Sequence, residues 1–302
     1  MKYALIDMGS NSIRLTVYEV DQRTFQVLFK EKLMAGLAGY VEQGRLTRDG
    51  INCACTSLQT FLDTLRLLGI DNLAVFATAS LRNITNTDQA LQQIRQTTGI
   101  TVEVLTGEQE ASFGFYGAIC DSEISRGLFA DIGGASTELA AFSEKTVLQA
   151  GSVPVGSLRL YRDCVKNILP GKGSVHRINE AIKLAFQSST LTDLSPADHL
   201  ICVGGTARAT LRLCQKLFGL PDDCKAITKT QLHVLSQQLC IADQNAAQLI
   251  LRYEPERIHT LIPGIMILQY IMKQYGVSEV EVSRYGVREG YLKQMIQPKL
   301  EE

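Results

Sequence analysis

Two short segments of the chain carry the residue types that phosphate chemistry requires, and they carry them in the same order. Residues 7–15 read DMGSNSIRL and residues 131–139 read DIGGASTEL. Each segment starts with Asp, passes through Gly and Ser, and ends in Leu at the same spacing. A glycine turn lets main-chain N–H groups approach an anion, and Ser and Thr hydroxyls are additional donors. Both segments therefore predict a phosphate-binding turn.

The glycines of these turns are Gly9, Gly133 and Gly134. We expect them to adopt positive φ, so that successive amides form an anion-binding concavity. A third glycine turn, VGGTA at 203–207, lies between a strand pattern and a helix pattern. An ordinary hairpin explains either of the first two turns alone, but it explains less well why both have the same register.

The acidic residues beside the turns predict a metal ion. Asp7 and Asp131 end the preceding strand patterns and place negative charge next to a bound anion. A hard cation such as Mg²⁺, retaining several waters, resolves this conflict. Glu138 occupies the place that Arg14 has in the first copy, which makes it a second candidate carboxylate. The alternative interpretation of Glu138 is a solvated charge on a strand.

Two familiar nucleotide-binding motifs do not fit the two aspartate turns. A Walker A loop ends in Gly-Lys-Ser/Thr, and a Rossmann turn leads directly into a helix. Both turns here lead into strand patterns instead. The segment TGEQEA at 106–111 opens a helix pattern and offers Glu108 and Glu110. Carboxylates are common at helix starts because of the helix dipole, so the residues alone do not choose between them.

Strand and helix patterns alternate along the chain, which predicts an α/β protein. The repeated strand–turn–strand opening predicts two similar lobes, with the boundary in the polar stretch at 121–127. The predicted domains are residues 1–123 and 124–302, and the last helix is expected to pack back on the first lobe. The strand pattern in the second half is predicted to continue through Ser152–Arg159.

Composition excludes several classes of protein. The chain has 302 residues, with 30 Lys and Arg against 31 Asp and Glu, for a net charge of -1. This balance disfavours a dedicated nucleic-acid binder. No segment approaches the roughly 20 apolar residues that span a bilayer, and the eight cysteines are scattered without a C-x-x-C pair. We therefore expect a cytoplasmic protein with neither nucleic acid nor membrane as a partner.

Taken together, six segments resemble the exopolyphosphatase/guanosine pentaphosphate phosphatase (Ppx/GppA) family, in the family's order and over nearly the whole chain. They are DMGSNS at 7–12, ATASLR at 77–82, TGEQEA at 106–111, DIGGASTE at 131–138, VGGT at 203–206 and SRYGVREG at 283–290. The resemblance implies an actin-like α/β fold of the sugar kinase/Hsp70/actin superfamily. Each of its two lobes has an RNase H-like core, and the active site lies in the interlobe cleft. The chain resembles a short form that lacks the C-terminal HD-type region.

The resemblance also implies an activity. Family members hydrolyse the terminal phosphoanhydride of inorganic polyphosphate, releasing orthophosphate, or convert pppGpp to ppGpp, with Mg²⁺ and as homodimers. Glu110 matches the catalytic carboxylate that acts on water, Asp131 and Glu138 match metal-associated acids, and Asp7 is a further metal candidate. The predicted phosphate-binding residues are Gly9, Ser10, Asn11, Ser12, Arg82, Gly133, Gly134, Ala135, Ser136, Thr137, Gly204, Gly205 and Thr206.

Two positions depart from the family pattern. Ala135 stands where a third glycine is usual, and His259, in PERIHTLIPG at 255–264, stands where an aspartate is usual. The leading hypothesis is an exopolyphosphatase, with pppGpp hydrolysis as the runner-up. Two other classes stay open: a kinase of the same superfamily that phosphorylates a small acceptor, and a non-catalytic polyphosphate or nucleotide sensor.

Overall fold

The computed structural model describes residues 1–21, 24–189, 191, 197 and 199–296. The chain divides into two compact units. Among the described residues, the first contains Met1–Thr106 together with 294–296, and the second is Gly107–Lys293. Both units combine strands with helices, which confirms the predicted α/β class.

The first unit is built around a sheet with the strand order β3-β2-β1-β6-β7. Its strands are β1 (Lys2–Met8), β2 (Ile13–Asp21), β3 (Thr24–Leu33), β6 (Leu73–Ala77) and β7 (Glu103–Val104), and a separate short pair is formed by β4 (Val41–Glu42) and β5 (Arg45–Leu46). Its helices are α1 (Arg48–Leu67), α2 (Ala79–Arg82) and α3 (Thr87–Thr98). The side chain of Thr47 caps α1 by accepting a hydrogen bond from the amide of Gly50, and α3 ends at Gly99, which has φ +75°.

The second unit is built around a sheet with the strand order β10-β9-β8-β11-β13-β12. Its strands are β8 (Arg126–Ile132), β9 (Thr137–Ser143), β10 (Thr146–Val153), β11 (His199–Val203), β12 (Ala226–Thr228) and β13 (Glu279–Val282). Its helices are α4 (Gly107–Ala118), α5 (Ser157–Cys164), α6 (Lys172–Gln187), α7 (Gly204–Phe218), α8 (Lys229–Cys240), α9 (Gln244–Tyr253), α10 (Leu261–Gln274) and α11 (Val287–Ile296), whose last residues from Gln294 belong to the first unit.

The two sheets repeat one topology. In the first unit β1 pairs antiparallel with β2 and parallel with β6. In the second unit β8 pairs antiparallel with β9 and parallel with β11. The third strand of each meander, β3 or β10, continues the sheet antiparallel on the outer side. The structure therefore confirms the repeated strand–turn–strand opening and extends the repeat to a three-stranded meander followed by a parallel strand.

The sheet of the second unit has a different layer on each face. One face, with Leu128, Ala130 and Leu139, packs in the larger core, which includes residues of α5 to α8 and α10. The other face, with Phe129 and Ala140, belongs to a smaller core that includes Phe115 and Ala118 of α4. Helix α4 therefore covers its own face of this sheet.

The unit boundary at 106/107 differs from the predicted domain boundary at 123/124. Helix α4 groups with the second unit because it packs on β8, β9 and β10. The polar stretch after it is also anchored there: the carboxylate of Asp121 accepts hydrogen bonds from Lys225 Nζ at 2.7 Å and from Arg284 at 2.9 Å and 3.1 Å. Contact between the last helix and the first lobe stays a prediction.

The predicted strand Ser152–Arg159 is wrong beyond Val153, because Ser157 begins helix α5. As for membranes, none of the helices in the described ranges is long and apolar enough to cross a bilayer.

Candidate active site

The two aspartate turns close in the same way. The amide of Gly9 donates to the carbonyl of Ser12 at 3.1 Å, and the amide of Gly133 donates to the carbonyl of Ser136 at 3.0 Å. Each closure leaves a two-residue loop between antiparallel strands. The sequence repeat is therefore also a repeat of backbone geometry.

The expectation of positive φ at Gly9, Gly133 and Gly134 is wrong. None of the three has φ in the left-handed region. Close approach explains two of these glycines: a Cβ on Gly9 would lie 3.1 Å from the carbonyl oxygen of Ser12, and one on Gly133 would lie 3.0 Å from that of Ser136. The turns therefore close without left-handed residues, and anion binding by their amides stays a prediction.

Basic residues follow the aspartate in the first unit. Asp7 on β1 lies opposite Arg14 on β2, which lies opposite Lys32 on β3. Residues opposite each other in a sheet share one face, so these three side chains form a row. The guanidinium of Arg14 also donates from Nε to the hydroxyl of Ser12 at 3.1 Å. A carboxylate opposite an arginine is less suited to hold a metal than one opposite a second acid, and the row as a whole carries more positive than negative charge.

Arg82 stands at the carboxyl edge of the parallel strands in the first unit. It is the last residue of α2, and its guanidinium donates to the carbonyl of Leu105 at 3.2 Å, just after β7. The hydroxyl of Ser80, on the same helix, donates to the carbonyl of Met8 at the end of β1. Ligands of open α/β sheets bind outside this edge, so the location fits the predicted phosphate contact of Arg82.

The corresponding row in the second unit is acidic. Asp131 on β8 lies opposite Glu138 on β9, and Glu138 lies opposite Ser152 on β10. The row therefore crosses three strands on the face that α4 covers.

Glu138 is buried and held by hydroxyl groups. The residue is 1% exposed, which excludes the interpretation as a solvated strand charge. Its Oε1 accepts from the hydroxyl of Ser136 at 2.7 Å and from that of Ser152 at 2.8 Å. A buried carboxylate requires such partners, because burying a charge without them is costly.

The seating of α4 places Glu110 above the acidic row. Gly107 touches Ser152 on β10, where an added Cβ would lie 2.5 Å from the Cβ of Ser152, and Gly114 touches the ring of Phe129 on β8. Residues 107, 110 and 114 share one stripe of the helix because they are three and four positions apart. Strand β9 lies between β10 and β8, so Glu110, between the two glycines, faces the strand that carries Glu138.

Burial separates the two candidate carboxylates of the helix start. Glu110 is 8% exposed, whereas Glu108 is exposed to solvent. The structure therefore places Glu110, and not Glu108, on the sheet side of α4.

The third turn provides the positive φ that the first two lack. Gly204 has φ +85° and begins α7, a helix of 15 residues. A Cβ on Gly204 would collide with Oδ1 of Asp131. The carboxylate of Asp131 therefore lies against the amino end of α7, where the helix dipole favours negative charge.

The side chain of Arg257 contacts the third turn, and the sequence analysis did not identify this residue. A Cβ on Gly205 would collide with the guanidinium of Arg257. Glu254, whose side chain is 14% exposed, is 3.6 Å from Nε of Arg257 and 2.8 Å from the guanidinium of Arg212. The amino end of α7 therefore combines helix amides with a guanidinium, a combination suited to phosphate.

Three hydroxyls predicted to bind phosphate already have other acceptors. Ser136 donates to Glu138, Thr137 donates to the carbonyl of Val155 at 2.6 Å, and Thr206 donates to the carbonyl of Ile132 at 3.3 Å. Thr137 and Thr206 are also buried. In these turns the hydroxyls serve the fold, and main-chain amides are the donors that suit an anion.

Helix α5 holds the second aspartate turn through hydrogen bonds to its backbone. Its amides at Leu158 and Arg159 both donate to the carbonyl of Gly134 at 2.9 Å. Gly156 permits this docking, because a Cβ there would lie 2.5 Å from the backbone of Gly134 and Ala135. The turn is thus pinned by its carbonyls, which explains why the strand pattern ends early and a helix starts.

The carboxylates of the second unit fit Mg²⁺, which needs few protein ligands. They fit less well a metal ion that is surrounded by protein ligands alone. The described ranges contain no group of three or more His, Cys, Asp or Glu side chains that would hold a metal. Mg²⁺ is regularly held by one or two carboxylates while waters and phosphate oxygens complete its shell. Asp131 and Glu138, opposite each other, supply such a pair.

Signals for the residues missed by sequence reasoning were weak. Ser152 is one serine in a strand pattern, and Arg257 is one arginine in the segment PERIHTLIPG, where only His259 departs from the family pattern. The ring of His259 lies 4.8 Å from the ring of Tyr161, centroid to centroid, at 40°. His259, which is exposed, therefore stacks on a residue of α5 and lies in the turn that precedes α10.

Comparison with known proteins places this geometry in a family. The model of the Ppx/GppA phosphatase family matches residues 16–299. The chain is 28% identical over 308 aligned residues to the guanosine-5'-triphosphate,3'-diphosphate pyrophosphatase of Vibrio cholerae, covering 99% of this chain and 60% of that protein. It is 26% identical over 304 residues to a candidate exopolyphosphatase of Haemophilus influenzae, covering 96% of this chain and 90% of that protein. The chain thus spans about 60% of the length of the Vibrio relative.

Two solved structures superpose on nearly the whole chain. The Aquifex aeolicus member of the Ppx/GppA family superposes with a TM-score of 0.82 at 22% identity, covering 99% of this chain and 98% of that one. An exopolyphosphatase from Cytophaga hutchinsonii superposes with a TM-score of 0.86 at 20% identity and the same coverage. These matches confirm the predicted actin-like α/β fold class.

Proposed function

Because the chain belongs to the Ppx/GppA phosphatase family, we propose that it is a phosphoanhydride hydrolase that removes the terminal phosphate of inorganic polyphosphate. The observation that carries this proposal is the position of Glu110. It is a buried carboxylate on α4, facing the strand that holds Glu138. A carboxylate in such a place is equipped to orient a water molecule and accept its proton.

The reaction needs few covalent events. Oxygen of water forms a bond to the terminal phosphorus, and the water proton passes to Glu110. The bond from phosphorus to the bridging oxygen breaks, and that oxygen leaves with the electron pair as the new terminal oxygen of the shortened polyphosphate. Catalysis of this kind rests on positioning and on neutralising the charge of the phosphoryl group. The seating of α4 through its glycines holds Glu110 in a fixed position relative to the acidic row.

Mg²⁺, when bound, neutralises charge on the phosphate oxygens. Asp131 and Glu138 would hold it or its waters. Within the second unit, the phosphate oxygens are assigned to the amino end of α7 and Arg257. Within the first unit, the Gly9–Ser12 turn, Arg14 and Arg82 are proposed as phosphate-binding groups of their own.

We place polyphosphate first among the candidate substrates because all of these groups suit phosphate oxygens. None of them is assigned to a nucleotide base. The second candidate is pppGpp. The specific support for it is the name of the Vibrio relative, a guanosine-5'-triphosphate,3'-diphosphate pyrophosphatase at 28% identity. Both reactions cleave a terminal phosphoanhydride, so one set of residues serves either.

Orthophosphate release from both substrates tests the proposal. Purified protein is incubated with polyphosphates of several lengths, with pppGpp and with ATP, each with Mg²⁺ and with EDTA. We expect release from polyphosphate with Mg²⁺ and a kcat/KM higher than for pppGpp. A higher kcat/KM for pppGpp would make the second candidate the function.

The remaining classes have their own outcomes in this experiment. Transfer of phosphate from ATP to a small acceptor would identify a kinase, and tight ligand binding without phosphate release would identify a sensor. Either result would overturn the proposal. A homodimer and a cytoplasmic location remain predictions, and light scattering of the purified protein measures the first.

A further inference from the structure

Ser152 contacts both Glu138, the most buried acid of the site, and the helix that carries Glu110. It donates to Oε1 of Glu138 at 2.8 Å across the β9–β10 ladder. The Cβ of the same serine touches Gly107, the first residue of α4, so closely that no side chain fits at position 107. Ser152 therefore lies at the junction of Glu138 and the helix of Glu110.

The hydrogen bonds distinguish the two oxygens of Glu138. Oε1 accepts from two hydroxyls, those of Ser136 and Ser152. Oε2 is the oxygen on the side of the second turn, 4.0 Å from where a Cβ on Gly133 would lie. A carboxylate held at one oxygen by two donors cannot rotate without losing both bonds, so its other oxygen has a fixed direction.

Ser152 belongs to β10, while the turn and Glu138 belong to β8 and β9 with their connection. Its donation therefore adds a restraint from a third strand. Ser136, two residues from Glu138, supplies only a local restraint. The carboxylate needs both donors because it is 1% exposed and has little access to water.

We propose that Ser152 is a positioning residue that fixes the carboxylate of Glu138 for a divalent cation and couples it to the start of α4. This inference rests on the proposed function for its kinetic part. The part of the inference that concerns metal binding predicts only the affinity of the protein for the cation. This affinity can be measured without catalytic turnover.

The experiment compares Ser152→Ala and Ser152→Cys with wild type. Mn²⁺ replaces Mg²⁺ as the probe, and its binding to the protein without substrate is followed by electron paramagnetic resonance. Partners that orient a metal ligand typically contribute about 10–100-fold to metal affinity or activity, so we expect Ser152→Ala to weaken Mn²⁺ binding by about tenfold. Cysteine keeps the approximate shape of serine but is a weak donor, so Ser152→Cys should behave like Ser152→Ala.

The matched control is Ser236→Ala. Ser236 also lies in the second unit and also donates to a side-chain oxygen at 2.8 Å, Oε1 of Gln269. The Ser236→Ala substitution should leave the affinity for Mn²⁺ and kcat unchanged. The kinetic readout is a fall in kcat of about tenfold for Ser152→Ala with KM for polyphosphate within twofold, since the hydroxyl of Ser152 donates to Glu138 and is not assigned to the substrate.

A double-mutant cycle excludes a merely structural role. In the Glu138→Gln background, Ser152→Ala should add little further loss of Mn²⁺ affinity, since the group it positions is gone. Full additivity, or unchanged Mn²⁺ affinity in folded Ser152→Ala, overturns the inference. If wild type binds Mn²⁺ but releases no phosphate from any substrate, the proposed function fails while the positioning role is still decided by the binding data.

Discussion

Asp131 and Glu138 lie directly opposite each other on the antiparallel strands β8 and β9. In the first unit the same register places Arg14 opposite Asp7. One strand pair therefore presents two acids and the other presents an acid with a base, although both arose from the same segment pattern. This single exchange makes the second pair more acidic than the first, which is why we propose the cation site in the second unit.

Replacing Glu110 by Gln is expected to reduce kcat by about 10²–10⁴, the usual contribution of a general base. The amide keeps the size of the side chain but does not accept the proton. The control is Glu108→Gln, because Glu108 lies two residues away and is exposed. Orthophosphate release measures kcat for both, and equal activities in the two variants would contradict the assignment of Glu110.

Replacing Gly204 by Ala is expected to lower kcat/KM by about 100-fold, the loss that a displacement of about 1 Å at a reacting centre produces. The new Cβ would collide with Asp131, and the φ of +85° is strained for alanine. Gly171→Ala is the control, because a Cβ at Gly171 meets no atom within 4 Å. Circular dichroism verifies folding, and a fully active Gly204→Ala variant would show that Asp131 is not needed at this turn.

Replacing Arg257 by Ala is expected to raise KM for polyphosphate by about tenfold or more, the equivalent of one or two hydrogen bonds to a charged group. Arg257→Lys should recover only part of this loss, because lysine lacks the planar fork that binds phosphate in a bidentate manner. Arg252→Ala is the control, since Arg252 is exposed and lies over the ring of Tyr253. An unchanged KM in Arg257→Ala would remove this guanidinium from the phosphate site.

Replacing Asp121 by Asn is expected to destabilise the second unit at neutral pH. Burial opposes ionisation of Asp121, but hydrogen bonds from Arg284 and Lys225 outweigh it, so the pKa of this carboxyl is lowered. A lowered pKa in the folded state adds stability above the unfolded pKa of about 4, and this stability is lost as the pH falls through the folded pKa.

The expected loss for Asp121→Asn is about 1 kcal/mol in the free energy of unfolding, because both cations are partly exposed to solvent. Urea unfolding at pH 7 and again below pH 4 measures it. The difference between variant and wild type should shrink at the lower pH, and a difference that grows with acidity would show that the ion pair is not its cause.

The sequence alone determined the class of the fold and the repeat. The pattern of residues 7–15 and 131–139 predicted two strand–turn–strand units because strand alternation and turn glycines are local properties. The repeat also selected Asp131 and Glu138 as candidates, and the family resemblance chose Glu110 over Glu108. Of the interpretations left open, the structure excludes a solvated Glu138, because this residue is buried.

Tertiary structure decided what the local pattern does not contain. Turn closure showed no positive φ at Gly9, and the left-handed residue was found at Gly204 instead, because the approach of Asp131 to α7 is a contact between distant segments. The position of Glu110 above β9 depends on Gly107 and Gly114 meeting two different strands. The roles of Ser152 and Arg257 likewise arise from contacts between residues far apart in the chain, and no spacing in the sequence reports such contacts.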